Sequence, residues 1–339
     1  MLNISKERSE EIISNILGKR IAVIGDVMLD RYFIGNVTRV SPEAPVPVID
    51  VESETFHLGG AANVANNLKS LGAEPILCGV IGDDNSGKLF CEIAAESGLN
   101  THGLVADAER VTTVKTRIIG NNQHIARLDR EVRNNISDTT ASKIASLLSE
   151  ETDLYGIIFE DYNKGVLTKT LIQQVQDVAH NKGIEIFVDP KFDNFFAFTK
   201  PTVFKPNRKE AQEALGYALR TEQDILKAGK ELLERLQSTN VLLTLGAQGM
   251  MLFESSGKIS SVPTFALHVA DVSGAGDTAI ATLVAAMSGG ADVKEAAILA
   301  NYAAGVVCGE PGVVSIRPDA LAHAVIRANE LLHHDTSAV

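Results

Sequence analysis

Short apolar runs alternate with helix-like segments along most of this chain, and that alternation leaves few folds open. Strand-like runs fall at Arg20 to Ile24, Glu74 to Val80, Leu154 to Phe159, Glu185 to Val188, Thr202 to Phe204 and Asn240 to Leu245; helix-like segments fall at Ala61 to Leu71 and Ser86 to Ser97. Strands alternating with helices pair in parallel, because each crossover helix returns the chain to the same edge of the sheet and covers one of its faces. The expected fold is α/β, a mostly parallel sheet flanked by helices. Two stretches break the rhythm: residues 31–58 and 111–129 carry short β-branched runs and few helix formers, which predicts extra strands. With no repeat, low-complexity tract or linker, residues 1–339 are expected to form one domain, with those two stretches inserted in it.

Composition narrows the partners. A chain of 339 residues that is 45% hydrophobic can bury a large core, while its formal net charge of −12 repels nucleic acid and acidic membrane surfaces. Any anionic substrate must then be held by local positive groups. Cys78, Cys91 and Cys308 lack the paired spacing of a zinc site or disulfide framework and read as reduced core thiols. Met1 to Lys19 reads as a short amphipathic helix, and no apolar run approaches the ~20 residues needed to span a bilayer, so the expected compartment is the cytoplasm.

The most telling chemistry lies in Asp271-Val272-Ser273-Gly274-Ala275-Gly276-Asp277-Thr278-Ala279, which runs into the small, apolar stretch Ile280 to Met287. Gly274 and Gly276 permit close backbone approach, so the N–H groups of Ala275, Gly276 and Asp277 at a helix start can converge on an anion. Asp277, at the edge of that positive pocket, can accept a proton from a hydroxyl lying beside a phosphate. The plainer alternative is a Gly-rich turn with Asp277 as its N-cap. Gly82 to Lys88 imitates a P-loop, but Leu89 stands where a Ser or Thr hydroxyl should reach magnesium. Gly25-Asp26 after an apolar strand lacks the glycine spacing of a dinucleotide site.

Gly274 to Asp277, the upstream segment Gly59-Gly60-Ala61-Ala62-Asn63 with Leu71-Gly72-Ala73 and Gly79 to Asp84, and Asn207-Arg208-Lys209-Glu210 together resemble the ribokinase, or PfkB, family of carbohydrate kinases. Thr282 departs from it, standing where many members have Gly or Ala, with an expected effect on helix packing alone. The resemblance implies a ribokinase-like fold whose inserted strands form a small β lid over the sugar, through which two chains clasp in several members. It implies Asp277 as catalytic base and the backbone of Gly274, Ala275 and Gly276 as anion hole. Gly25 to Tyr32, Ser41 to Val48, Thr112 to Arg117 and Asp161 to Gly165 are similar to the branch acting on D-glycero-D-manno-heptose 7-phosphate at its anomeric hydroxyl, for ADP-heptose and lipopolysaccharide core synthesis. Some members of that branch are fused to a nucleotidyltransferase with a His-x-Gly-His motif; none occurs here, so this chain is expected to stop at the bisphosphate.

The same resemblance places Asp26, Asp30, Gly59, Gly60 and Asn63 at the sugar, where carboxylates and amides can bond hydroxyls. A phosphorylated sugar also needs cations, and Lys115, Arg117, Arg127 and Lys164 are candidates, with a surface ion pair as the alternative for Arg127. Asn207 and Glu210 are expected on a loop and first helical turn at a strand's C-terminal edge, supporting magnesium through water or forming a capping box. Thr244, Gly246 and Gly249 resemble the ATP loop and Asn301 the adenine-side helix. Asp271 resembles a monovalent-cation (potassium) ligand, though a fixed turn explains it equally well. The expected substrates are ATP and a sugar phosphate; another sugar, or a non-catalytic sensor role, are the alternatives.

Overall fold

The computed structural model describes residues 4–265, 269–310 and 312–336. Its strands are β1 (Arg20–Gly25), β2 (Val27–Val40), β3 (Pro47–Gly60), β4 (Glu74–Gly82), β5 (Leu104–Asp107), β6 (Val114–Gly120), β7 (Gln123–Arg130), β8 (Leu154–Glu160), β9 (Glu185–Asp189), β10 (Val203–Phe204), β11 (Asn240–Thr244), β12 (Met250–Glu254) and β13 (Ile259–Val262). The helices are α1 (Lys6–Asn15), α2 (Ala61–Ser70), α3 (Asn85–Glu96), α4 (Asp138–Glu150), α5 (Lys169–Lys182), α6 (Arg208–Leu215), α7 (Glu222–Leu236), α8 (Ala275–Ser288), α9 (Val293–Cys308) and α10 (Pro318–Thr336).

Nine strands form the main sheet in the order β13-β12-β11-β10-β9-β8-β1-β4-β5. All neighbours from β11 to β5 are parallel, and β12 and β13 add an antiparallel edge. Strand β1 shows how the sequence builds two cores at once. Its Ile21 and Val23 point into the apolar cluster shared with α1, α2, α3, α8, α9 and α10, while Ala22 and Ile24 point into the cluster shared with α4, α5, α6 and α7. A strand buried on both faces reads as an unbroken apolar run, which is what the sequence shows. The helix-like segments at Ala61 and Ser86 are α2 and α3, each within a residue or so of its expected ends.

A second sheet, ordered β3-β2-β6-β7, is built from the stretches that broke the alternation. Its long hairpin β2-β3 starts directly after β1, so Asp26 and Asp30 lie where the main sheet hands over to the second one.

The P-loop imitation is explained by the fold. Asp84 caps α3, and its Oδ1 accepts from the Gly87 N–H at 2.8 Å and the Thr112 hydroxyl at 2.8 Å. A carboxylate therefore sits where a phosphate would need to be, and Lys88 is exposed. Lys88→Ala should leave turnover unchanged and stability within about 0.5 kcal/mol, checked by a steady-state assay and a melting curve.

Candidate active site

Helix α8 begins with Gly274 in the left-handed region at φ 77°, a turn that a Cβ would strain. Its apolar body is almost wholly buried against α2 and α9, which fixes where its first turn points. The Thr278 N–H closes onto the Gly274 carbonyl at 2.9 Å, and the Ala275 N–H onto Val272 at 3.3 Å. The N–H groups of Gly276 and Asp277 have no acceptor among the described residues, as expected of a helix start left open for an anion. The anion hole read from the sequence is thus narrower here, since Ala275 is already engaged.

Asp277 is 5% exposed. Its Oδ2 accepts from the Asn63 amide at 2.8 Å and its Oδ1 from the Tyr162 hydroxyl at 2.7 Å. Burial pushes its carboxyl up to about 6, against those two hydrogen bonds, which favour the charged form. Asn63 is carried by α2, which follows Gly60 at φ 59°. Asn67, one turn further on, donates to the Asn63 carbonyl at 2.9 Å and accepts from the Thr278 hydroxyl at 3.1 Å and the Ile316 N–H at 3.0 Å. The two helices are thereby stitched together beside the carboxylate. Thr282 lies buried further along α8, its hydroxyl without a partner among the described residues.

The C-terminal ends of the central strands add a cluster of charges that the sequence reading missed. Glu160 closes β8, Asp189 closes β9, and Lys205 follows β10; Lys205 and Asp189 form a buried ion pair at 2.6 Å. Burial, then the neighbouring Asp189 and Asp277, raise the Glu160 carboxyl well above its ordinary value. Burial opposes the Lys205 charge, but Asp189 and Glu160 outweigh it and hold the ammonium. One signal was present: each of these residues ends an apolar run, the edge at which open α/β sheets bind ligands.

On the second sheet, Asp30 is buried and paired with Arg117. Gly59 leaves room for that carboxylate, since a Cβ there would run into it. Lys115 stands beside Asp30 across the β2-β6 ladder, makes no ion pair among the described residues, and has its charge disfavoured by burial. Its ammonium lies 5.1 Å from the centre of the Tyr162 ring.

Other expected site residues are engaged within the chain itself. Asp26 does not present its carboxylate to a sugar: it accepts the N–H groups of Tyr162, Lys164 and Val166 at 2.8, 3.1 and 3.2 Å, and so anchors the loop after β8. Lys164 is paired with Glu131 at 2.6 Å, and Arg127 is exposed on β7 and paired with Asp129 at 3.0 Å. Asp129, two residues on along β7, satisfies Arg127 locally, which is the surface-pair alternative. The Asn301 amide donates to the Pro263 carbonyl at 2.7 Å. Asp271 accepts from Ser273 and Gly312 N–H groups at 2.9 and 3.3 Å, fixing its turn.

Asn207 and Glu210 form a complete capping box on α6: the Glu210 N–H donates to Asn207 at 2.9 Å and the Asn207 N–H to Glu210 at 2.8 Å. The second Glu210 oxygen meets Lys191. With both oxygens engaged, the pair does not fit direct magnesium coordination, and only a role through water is left to it. Asn207→Ala should cost about 1 kcal/mol of stability, read from the denaturant midpoint. Asn207 bridges to Thr244 on β11, and Gly246 and Gly249, at φ 62° and 82°, close the following turn.

The pfkB family carbohydrate kinase profile matches residues 19–320. The chain is 42% identical over 297 residues to the bifunctional protein HldE of Geobacter sulfurreducens, covering 87% of this chain and 61% of that protein. It is 39% identical over 334 residues to the HldE of Geobacter metallireducens, covering 98% and 67%. It thus spans only about three fifths to two thirds of those proteins' lengths. Among solved structures, phosphofructokinase-2 from Escherichia coli in complex with potassium superposes with a TM-score of 0.77 at 18% identity, covering 92% of this chain and 99% of that one. Arabidopsis thaliana ribokinase complexed with ribose and ATP gives 0.71 at 18%, covering 91% and 99%. With the ribokinase-like fold, the charged edge of the sheet and a profile match across most of its length, the chain belongs to the pfkB family of carbohydrate kinases and is a sugar kinase.

Proposed function

We propose that this chain transfers the terminal phosphoryl group of ATP to the anomeric hydroxyl of D-glycero-D-manno-heptose 7-phosphate, giving the 1,7-bisphosphate. The observation that carries the reaction class is Asp277, a buried carboxylate beside two helix N–H groups that have no acceptor among the described residues. The substrate rests on the likeness to HldE proteins and on the heptose-type segments around Asp30, Lys115 and Tyr162.

In this reading the acceptor hydroxyl sits against Asp277, which takes its proton as the bond to phosphorus forms. The Gly276 and Asp277 N–H groups face the charge gathering on the transferred group, and Lys205 adds a positive charge close by. Asp30 and Asn63 hold the sugar hydroxyls, and Lys115 and Arg117 face its distal phosphate. The loop of Thr244, Gly246 and Gly249 and the Asn301 face of α9 receive the nucleotide, and the turn at Asp271 is the place for a monovalent cation. Kinases of this family use ATP and a divalent metal, which Asn207 and Glu210 would support only through water.

The second sheet acts as the lid, shutting water out of a site where ATP hydrolysis competes. Exposed Val51, Ile125 and Leu128 on that sheet favour its use as the contact between two chains. No helix among the described residues is long and apolar enough to cross a membrane. Turnover of a panel of sugars and sugar phosphates with magnesium-ATP tests the reading: heptose 7-phosphate should give the highest specificity constant, and a better hexose or pentose substrate would replace it.

A further inference from the structure

We propose that Tyr162 is a positioning residue for the phosphoryl transfer, a phenol that donates to Asp277, fixes its orientation toward the acceptor and sustains its charge, a role that rests on Asp277 being the base. Tyr162 lies just beyond the end of β8, 115 residues before Asp277 in sequence, and its hydroxyl reaches Oδ1 at 2.7 Å. Its own backbone is pinned, since its N–H donates to Asp26 at 2.8 Å. Two ammonium groups hold the ring: Lys115 of β6 at 5.1 Å from its centre and Lys191, after β9, at 5.2 Å. Cations over an aromatic face favour that placement, so the phenol is not free to swing away. Because Lys115 belongs to the second sheet, the same ring joins that sheet to the base.

The need for such a donor follows from what surrounds Asp277. From α2 comes the neutral Asn63 amide; from the ends of β8 and β9 come the carboxylates of Glu160 and Asp189; from beyond β10 comes the Lys205 ammonium, which is already paired with Asp189. Burial and the neighbouring Asp189 carboxylate favour a proton on Asp277, and hydrogen bonds to its charged form oppose that. Asn63 supplies one such bond and Tyr162 the other. The phenol itself stays protonated, because burial and the adjacent Asp277 push its ionisation well above the ordinary value.

The test is the pH profile of kcat with magnesium-ATP and heptose 7-phosphate. Tyr162→Phe keeps the ring and both cations and removes only the donor. Its acid limb should move up by about one pH unit, with turnover largely recovered on the alkaline plateau. The substrates' own phosphates titrate alike in both proteins, so the difference reports the enzyme. A limb that stays in place while kcat drops by one factor at every pH would overturn the proposal and leave Tyr162 a packing residue. Site-specific replacement of Tyr162 by a fluorinated tyrosine, a stronger donor, should move the limb down instead, and no movement there would count against the proposal even if the Phe variant failed to fold. Asp277→Asn separates the two readings: if it keeps turnover, the base assignment falls, whereas an inactive Asp277→Asn beside an unmoved Tyr162→Phe limb removes only the role of Tyr162.

Discussion

Asp277→Asn will keep the fold and ATP binding and lose about 100- to 10,000-fold in turnover, the usual contribution of a general base. The amide matches the carboxylate in shape, so α8, its open N–H groups and the nucleotide loop stay as they are. What disappears is the group that receives the acceptor's proton. In the intact enzyme the same carboxyl, raised to about 6, must be unprotonated to work, so kcat should fall as the pH drops through that region. A titration of nucleotide binding alongside the kinetics shows whether the loss is in chemistry. Near-normal turnover of the variant would remove Asp277 from the mechanism.

Substrate choice should be marked as well. Heptose 7-phosphate is expected to exceed unphosphorylated heptose in kcat/KM by at least ~10-fold, because a buried cation without its anion is left uncompensated. The structure makes the cations unequal: Arg117 is neutralised by Asp30 and Lys164 by Glu131, whereas Lys115 has no ion pair among the described residues. Lys115→Ala should therefore weaken the phosphorylated substrate by about 10-fold more than the free sugar, the scale of a hydrogen bond to a charged group. Lys164→Ala should leave the ratio of the two specificity constants nearly unchanged. Equal use of both sugars by the intact enzyme would move the assignment to another sugar.

What the sequence could show depended on whether a signal was local. Strands such as β1 and β8 were legible because burial on both faces leaves a continuous apolar run, and α8 because its glycines and small residues adjoin. The contacts of Asp277 were not legible: Asn63 was expected at the sugar by resemblance alone, Tyr162 was not singled out, and the two lie 214 and 115 residues away from Asp277. Chemistry alone also misjudged side chains that serve the backbone. Asp26 has the right groups for a sugar but is consumed by three N–H donors of the loop after β8, and Asn207 and Glu210 satisfy each other before any metal. The charged ends of β8, β9 and β10 were visible as residues, yet only the parallel order of those strands brings Glu160, Asp189 and Lys205 together.

The most direct measurement is phosphorus NMR of the product formed from heptose 7-phosphate and magnesium-ATP by the purified chain. The account predicts two sugar phosphate signals, the original 7-phosphate and a new one coupled to the anomeric proton, with one ADP released per sugar consumed. A new phosphate on any other carbon, or ADP released with the sugar unchanged, would contradict it.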